Sequence, residues 1–159
     1  MNRDTQERGI TFSNDCKMIA TILPGSTNFH AVGYNERKIA KGTARLLEIK
    51  NFGTLGTFGK PTPDELVSYL MEYTSRNDRI QKAQFHVAFS CKGHEMSESE
   101  VLEFAHQYLK EMGYMEEGQP LLAYSHYDTD NTHVHIVTSR IAPDGRKIEH
   151  DNERRLRRK

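Results

Sequence analysis

Tryptophan is absent from this chain of 159 residues, and cysteine occurs twice, at Cys16 and Cys91. Two cysteines so far apart supply neither a zinc ribbon nor a disulfide framework, so a reducing cytoplasm is the default compartment. No stretch approaches the ~20 apolar residues of a membrane span, and the N-terminus has no signal-peptide apolar block. Net charge is missing as well, because 22 basic side chains balance 22 acidic ones. Neutrality at first argues against a nucleic-acid partner. What remains is an ordinary globular composition, 36% hydrophobic and 28% charged. The length suits one domain that buries roughly two-thirds of its unfolded surface.

The zero hides a segregation. Residues 31–60 carry six basic and two acidic side chains, residues 95–130 one basic and nine acidic, and residues 140–159 eight basic and four acidic. Either the acidic block is a solvated helix face and the basic end a tail, or the two basic segments share a surface that meets phosphates. On the second reading, neutrality argues only against promiscuous binding to any polyanion.

Local signals divide the chain further. Residues 1–17 are polar and aperiodic and read as a flexible N-terminal extension. Met18–Leu23 is an apolar run closed by Pro24-Gly25-Ser26, a strand and a turn. Residues 27–50 mix helical and extended signals, with Ser26 or Thr27 as a helix cap. Thr62-Pro63-Asp64-Glu65 and Ser97-Glu98-Ser99-Glu100 are capping boxes that open two helices, and Gly113 is a natural C-cap for the second. Phe85, Val87 and Phe89 alternate with His86, Ala88 and Ser90, as in a half-buried strand. Leu121–Tyr127 and Thr132–Ile141 are two strands joined by Asp128-Thr129-Asp130-Asn131, a hairpin. Strands interleaved with two capped helices predict an α+β fold with a mainly antiparallel sheet.

Three of the eight histidines fall within ten residues, at His126, His133 and His135. On a strand, His133 and His135 project from one face, and a short hairpin brings His126 opposite them. Three neutral imidazoles converging on one point form a metal site with positions left open for water or substrate. Asp128 and Asp130 in the turn are placed to accept an N–H from a ligating imidazole. Alternating histidines are equally the polar face of a strand, and His86 has either a structural hydrogen bond or a place at the site.

The stretch His126-Tyr127-Asp128-Thr129-Asp130-Asn131-Thr132-His133-Val134-His135 resembles the three-histidine motif of relaxases, the HUH-type endonucleases that nick plasmid and transposon DNA for conjugative mobilization. Gln84 to Ser90, and the Met18–Leu23 strand followed by Tyr34-Asn35-Glu36-Arg37-Lys38, are similar to the segments that precede it, in the same order. The likeness covers residues 18 to about 150 and is closest to MOBP-like relaxases of Bacteroides-type mobilizable elements. It implies a nuclease domain over 18–159, truncated relative to a longer protein, with the His-x-His strand in mid-sheet and helices packed against it.

By the same resemblance Tyr34 is the nucleophile, and His126, His133 and His135 bind a divalent cation, magnesium or manganese. Nitrogen donors alone suit zinc, nickel or copper. The implied reaction is attack of Tyr34 on a phosphate of single-stranded DNA at a transfer origin, leaving a 5′-phosphotyrosine link. Asp128 either orients His126, assists the proton transfer, or is a plain turn residue. Arg37, Lys38, Lys41, Arg45 and Arg140 are the expected backbone contacts. Expected partners are the DNA, accessory mobilization proteins and a coupling protein, with no membrane and no small-molecule cofactor. Spacing does not single out Tyr34: Tyr124 and Tyr127 lie beside the histidines, while Tyr69, Tyr73 and Tyr108 read as packing residues. Rival readings are a rolling-circle replication initiator or HUH transposase, a non-catalytic metal- and DNA-binding module, and a small-molecule metallohydrolase.

Overall fold

A computed structural model describes residues 6–11, 17–92 and 96–149. The chain runs through β1 (Gln6–Thr11), β2 (Lys17–Leu23), α1 (His30–Ala40), β3 (Ala44–Lys50), α2 (Pro63–Thr74), β4 (Gln84–Lys92), α3 (Glu98–Met112), β5 (Leu121–His126) and β6 (His133–Ser139). The strands form one six-stranded sheet in the order β1-β2-β4-β6-β5-β3, and every pairing is antiparallel. The α+β fold expected from the sequence is the one observed, and β6, the His-x-His strand, lies between β4 and β5. Gln6–Thr11, expected as part of a flexible extension, instead forms an edge strand against β2.

The two predicted capping boxes form. Thr62 and Ser97 each accept a bond from the backbone N–H three residues on, and the carboxylates of Glu65 and Glu100 accept one from the backbone N–H of the cap. Gly113 ends α3 at φ 91°, the left-handed conformation that a Cβ disfavours. Alternation along the strands then divides the core in two. One face buries Phe85, Val87, Phe89, Val134 and Ile136 beneath Val101, Ala105, Tyr108 and Leu109 of α3. The other buries Leu122, Tyr124 and Val137 beneath Val32 of α1 and Leu66, Leu70 and Tyr73 of α2. Cys91, near the end of β4, is buried and disulfide-bonded, which corrects the expectation drawn from the cysteine spacing and removes that spacing as an argument for a reducing compartment. None of the helices among the described residues is long and apolar enough to cross a membrane.

Candidate active site

The histidines reach one face by strand arithmetic. His126 pairs directly with His133, and Tyr124 with His135, so all four side chains share the face turned towards α1. On the other side of β6, Ala88 pairs with His135, which brings His86 to the same face one diagonal step away. Sequence reasoning had left His86 between a structural and a site role. The structure brings it into the site, with Nε2 at 2.9 Å from His135 Nδ1.

α1 supplies the opposite wall, and its start is tied down by residues from two places. Ser26 Oγ accepts from the backbone N–H groups of Asn28 and His30 at 3.2 Å. Gln84 Oε1 accepts from Ala31 N at 2.8 Å. Phe29 sits between them at φ 55°, a left-handed conformation costing ~1–2 kcal/mol, which burial of its ring offsets. Held this way, α1 lays Tyr34, Asn35 and Lys38 over the histidines, the first and last of them one helical turn apart. The Tyr34 ring centroid lies 6.0 Å from that of His126 and 6.3 Å from those of His86 and His135. Lys38 Nζ stands 5.2 Å from the Tyr34 ring centroid and is ion-paired with Asp128.

Burial is the largest influence on every imidazole here. It pushes His86 down to about 4, aided by His126, and His126 down to about 4, aided by Lys38. His135 is pushed lower still, by burial and then by His86 and His126, and His133 is also lowered by burial. All four are therefore neutral near pH 7, the form in which a ring nitrogen can ligate a metal or accept a proton. Asp128 is held below the usual carboxylate range by its bond to Lys38, whose own pKa that bond raises.

The neutral donors and their common face fit a divalent cation, but the rings do not converge as the spacing predicted. Among the described residues, no group of three or more His, Cys, Asp or Glu side chains is arranged to hold a metal ion. His126 and His135 stack, with centroids 3.8 Å apart and planes 9° from parallel. Their nitrogens are engaged elsewhere: His126 Nε2 lies 2.5 Å from Asn35 Oδ1, and His135 Nδ1 meets His86. Asn35 Nδ2 donates to Ala31 O, so its Oδ1 faces the ring as an acceptor and His126 carries its proton on Nε2. A cation at Nε2 of His126 requires that bond to break.

Several predicted residues stand apart from their expected roles. Asp128 was expected to accept from His126; its carboxylate is taken by Lys38, and Asn35 makes the contact to His126 instead. Arg45 is paired with Glu98, whose carboxylate also accepts from the hydroxyl of Tyr127, drawing that tyrosine away from the histidines. Tyr124 is wholly buried, and burial together with Glu36 raises its phenol pKa far above the ordinary value. Arg37 on α1 and Lys41 at its C-cap are exposed, and Arg140 lies across the ring of Phe85 at 5.2 Å. Tyr34 is thus the tyrosine that the fold brings over the imidazoles. Asn35 and the pairing of Lys38 with Asp128 were missed in the sequence. Their signal was the helical register from Tyr34, which becomes readable once α1 is known to be a helix.

Comparison with curated proteins and with solved structures returned no match. The family model described as relaxase, MobA/VirD2-like, nuclease domain matches residues 34–159, a span that runs from the tyrosine on α1 through all three histidines of the hairpin. With that match over most of its length, the chain belongs to the MobA/VirD2-like relaxase nuclease-domain family.

Proposed function

We propose that this nuclease domain nicks single-stranded DNA at a specific site by transesterification, with Tyr34 as nucleophile, during conjugative mobilization from a transfer origin. The observation that supports this best is the ring of one tyrosine, 39% exposed, standing over three neutral imidazoles. His126, His133 and His135 would hold a divalent cation, which when bound supplies charge neutralisation at the scissile phosphate. Magnesium or manganese is the expected ion by family likeness, although three nitrogens would bind softer ions more tightly.

The chain's own residues do the rest. The Tyr34 oxygen attacks phosphorus, the bond to the 3′ oxygen breaks, and the phosphate stays joined to the tyrosine on its 5′ side. The phenol loses its proton and the departing 3′ oxygen gains one. Negative charge develops on the phenol oxygen as its proton leaves, and a positive neighbour stabilises it. Lys38 is that neighbour, and Asp128 keeps its ammonium over the ring. Asn35 and His86 orient His126 and His135 by taking one nitrogen of each. Arg37 and Lys41 are free of ion pairs with any described residue and are the backbone contacts on the α1 side; Arg45, held by Glu98, contributes less. Work on plasmid or transposon DNA places the protein in the cytoplasm, with accessory mobilization proteins and a coupling protein as partners.

The test incubates the protein with transfer-origin oligonucleotides, with and without manganese, and looks for a protein–DNA adduct that survives denaturation. Wild type is expected to form it only with metal, and Tyr34→Phe not at all. An adduct at the wild-type rate in Tyr34→Phe would overturn the assignment of the nucleophile.

A further inference from the structure

We infer that the groove leaving Tyr34 past the Pro24–Asn28 loop, and the basic trough it runs into, form one channel for the DNA strand on one side of the scissile phosphate. The inference rests on the nickase reading above and adds which surface carries the strand. A cavity of about 660 Å³ begins at Tyr34 and His86 and is floored by Leu23, Pro24 and Ala31. Its volume lies within the ~300–1,000 Å³ of pockets that bury small organic ligands. A second cavity of about 360 Å³ is lined by Arg79, Lys82, Arg140 and Lys147, with no acidic side chain in its lining. The two adjoin, with Gly25 and Lys82 lining both.

Charge matching distinguishes the cations of this trough from several basic side chains elsewhere. Lys38, Arg45, Lys60 and Arg146 are each paired with a carboxylate. Arg79, Lys82 and Lys147 are exposed and form no ion pair with any described residue. Uncompensated cations along a groove are what a phosphate backbone binds, by releasing its condensed counterions. The apolar floor next to Tyr34 suits the other half of a nucleotide, an unstacked base packed against aliphatic and aromatic surface. A strand with its scissile phosphate at Tyr34 therefore sets its neighbouring base on Leu23, Pro24 and Ala31, and its next phosphates along Lys82, Arg79 and Lys147.

The experiment measures binding of fluorescent oligothymidylate against salt, and nicking of transfer-origin oligonucleotides shortened on either side of the nick. Replacing Arg79, Lys82 and Lys147 together by alanine should weaken binding on the order of 50-fold at ~0.15 M salt and reduce the salt slope by about two. Lys110→Ala, on α3 behind the sheet, is the charge control and should leave both unchanged. The triple variant should raise KM for the full oligonucleotide and for one shortened form, but not for the form lacking the flank that fills the channel. An unchanged salt slope, or an equal loss with both shortened forms, overturns the channel. If wild type forms no adduct with any oligonucleotide, the nickase reading fails; the oligothymidylate measurement still decides the trough.

Discussion

On β4, Phe85, Val87 and Phe89 turn towards α3 and meet rings: Phe89 packs edge-on against Tyr108 at 5.2 Å, and Phe85 stacks on Tyr114 at 4.2 Å. His86, in the same strand, turns towards α1 and meets another imidazole. The two faces of one sheet thus share a backbone and differ in their cover. α3 lays six buried residues, all of them apolar or aromatic, along its face. The buried residues of α1 include Asn35 and Glu36, and its exposed Tyr34 stands at the opening. A dry face tolerates no unmatched polar group, so its value lies in packing. The histidine face buries polar groups instead and pairs them with one another, His126 with Asn35 and His86 with His135.

Loss of packing should cost most. Phe89→Ala empties a fully buried site on the α3 face and should lower stability by ~3–5 kcal/mol in chemical denaturation, while adduct formation per folded molecule stays at the wild-type level. Equal loss of activity per folded molecule would mean that the faces are not independent. On the other face, Lys38→Met should slow nicking on the order of 100-fold with little change in unfolding midpoint, and Asp128→Asn should slow it less. Rapid-quench rates on one oligonucleotide separate the two.

Acid should also act on the histidine face. Burial puts His86 and His126 at about 4 in the folded protein, below the ordinary ~6.5 of the unfolded chain. The unfolded state therefore binds more protons in that window. Stability is full above ~6.5 and declines as the pH falls towards about 4. Melting temperature against pH should show this slope, and His86→Asn should flatten it. The smallest expected effect is Ser97→Ala, which removes the cap of α3 and should cost ~1 kcal/mol in denaturation without touching cleavage.

The capping boxes of α2 and α3, the turn at Gly113, the alternation of β4 and the hairpin of β5 and β6 were all legible in the sequence. Each is a local signal, with partners on neighbouring turns or alternate residues. α1 and β3 were blurred, because Tyr34 to Lys41 lack an apolar stripe and α1 is started by Gln84, 53 residues away from Ala31. β1 has no alternation to announce it and exists through its pairing with β2.

The sequence by itself determined that His133 and His135 share a face, through strand periodicity, and predicted that a short hairpin brings His126 to it. Only the tertiary structure decided what they touch. His86 meets His135 across 49 residues of chain, Asp128 meets Lys38 across 90, and Asn35 meets His126 across 91. Periodicity of two or 3.6 residues carries no information at such separations. They are set by how α1 crosses the sheet, which depends on the burial of Phe29 and Val32 in the core beneath it. The same crossing sets Tyr34 and Ala31 in the lining of the groove beside them.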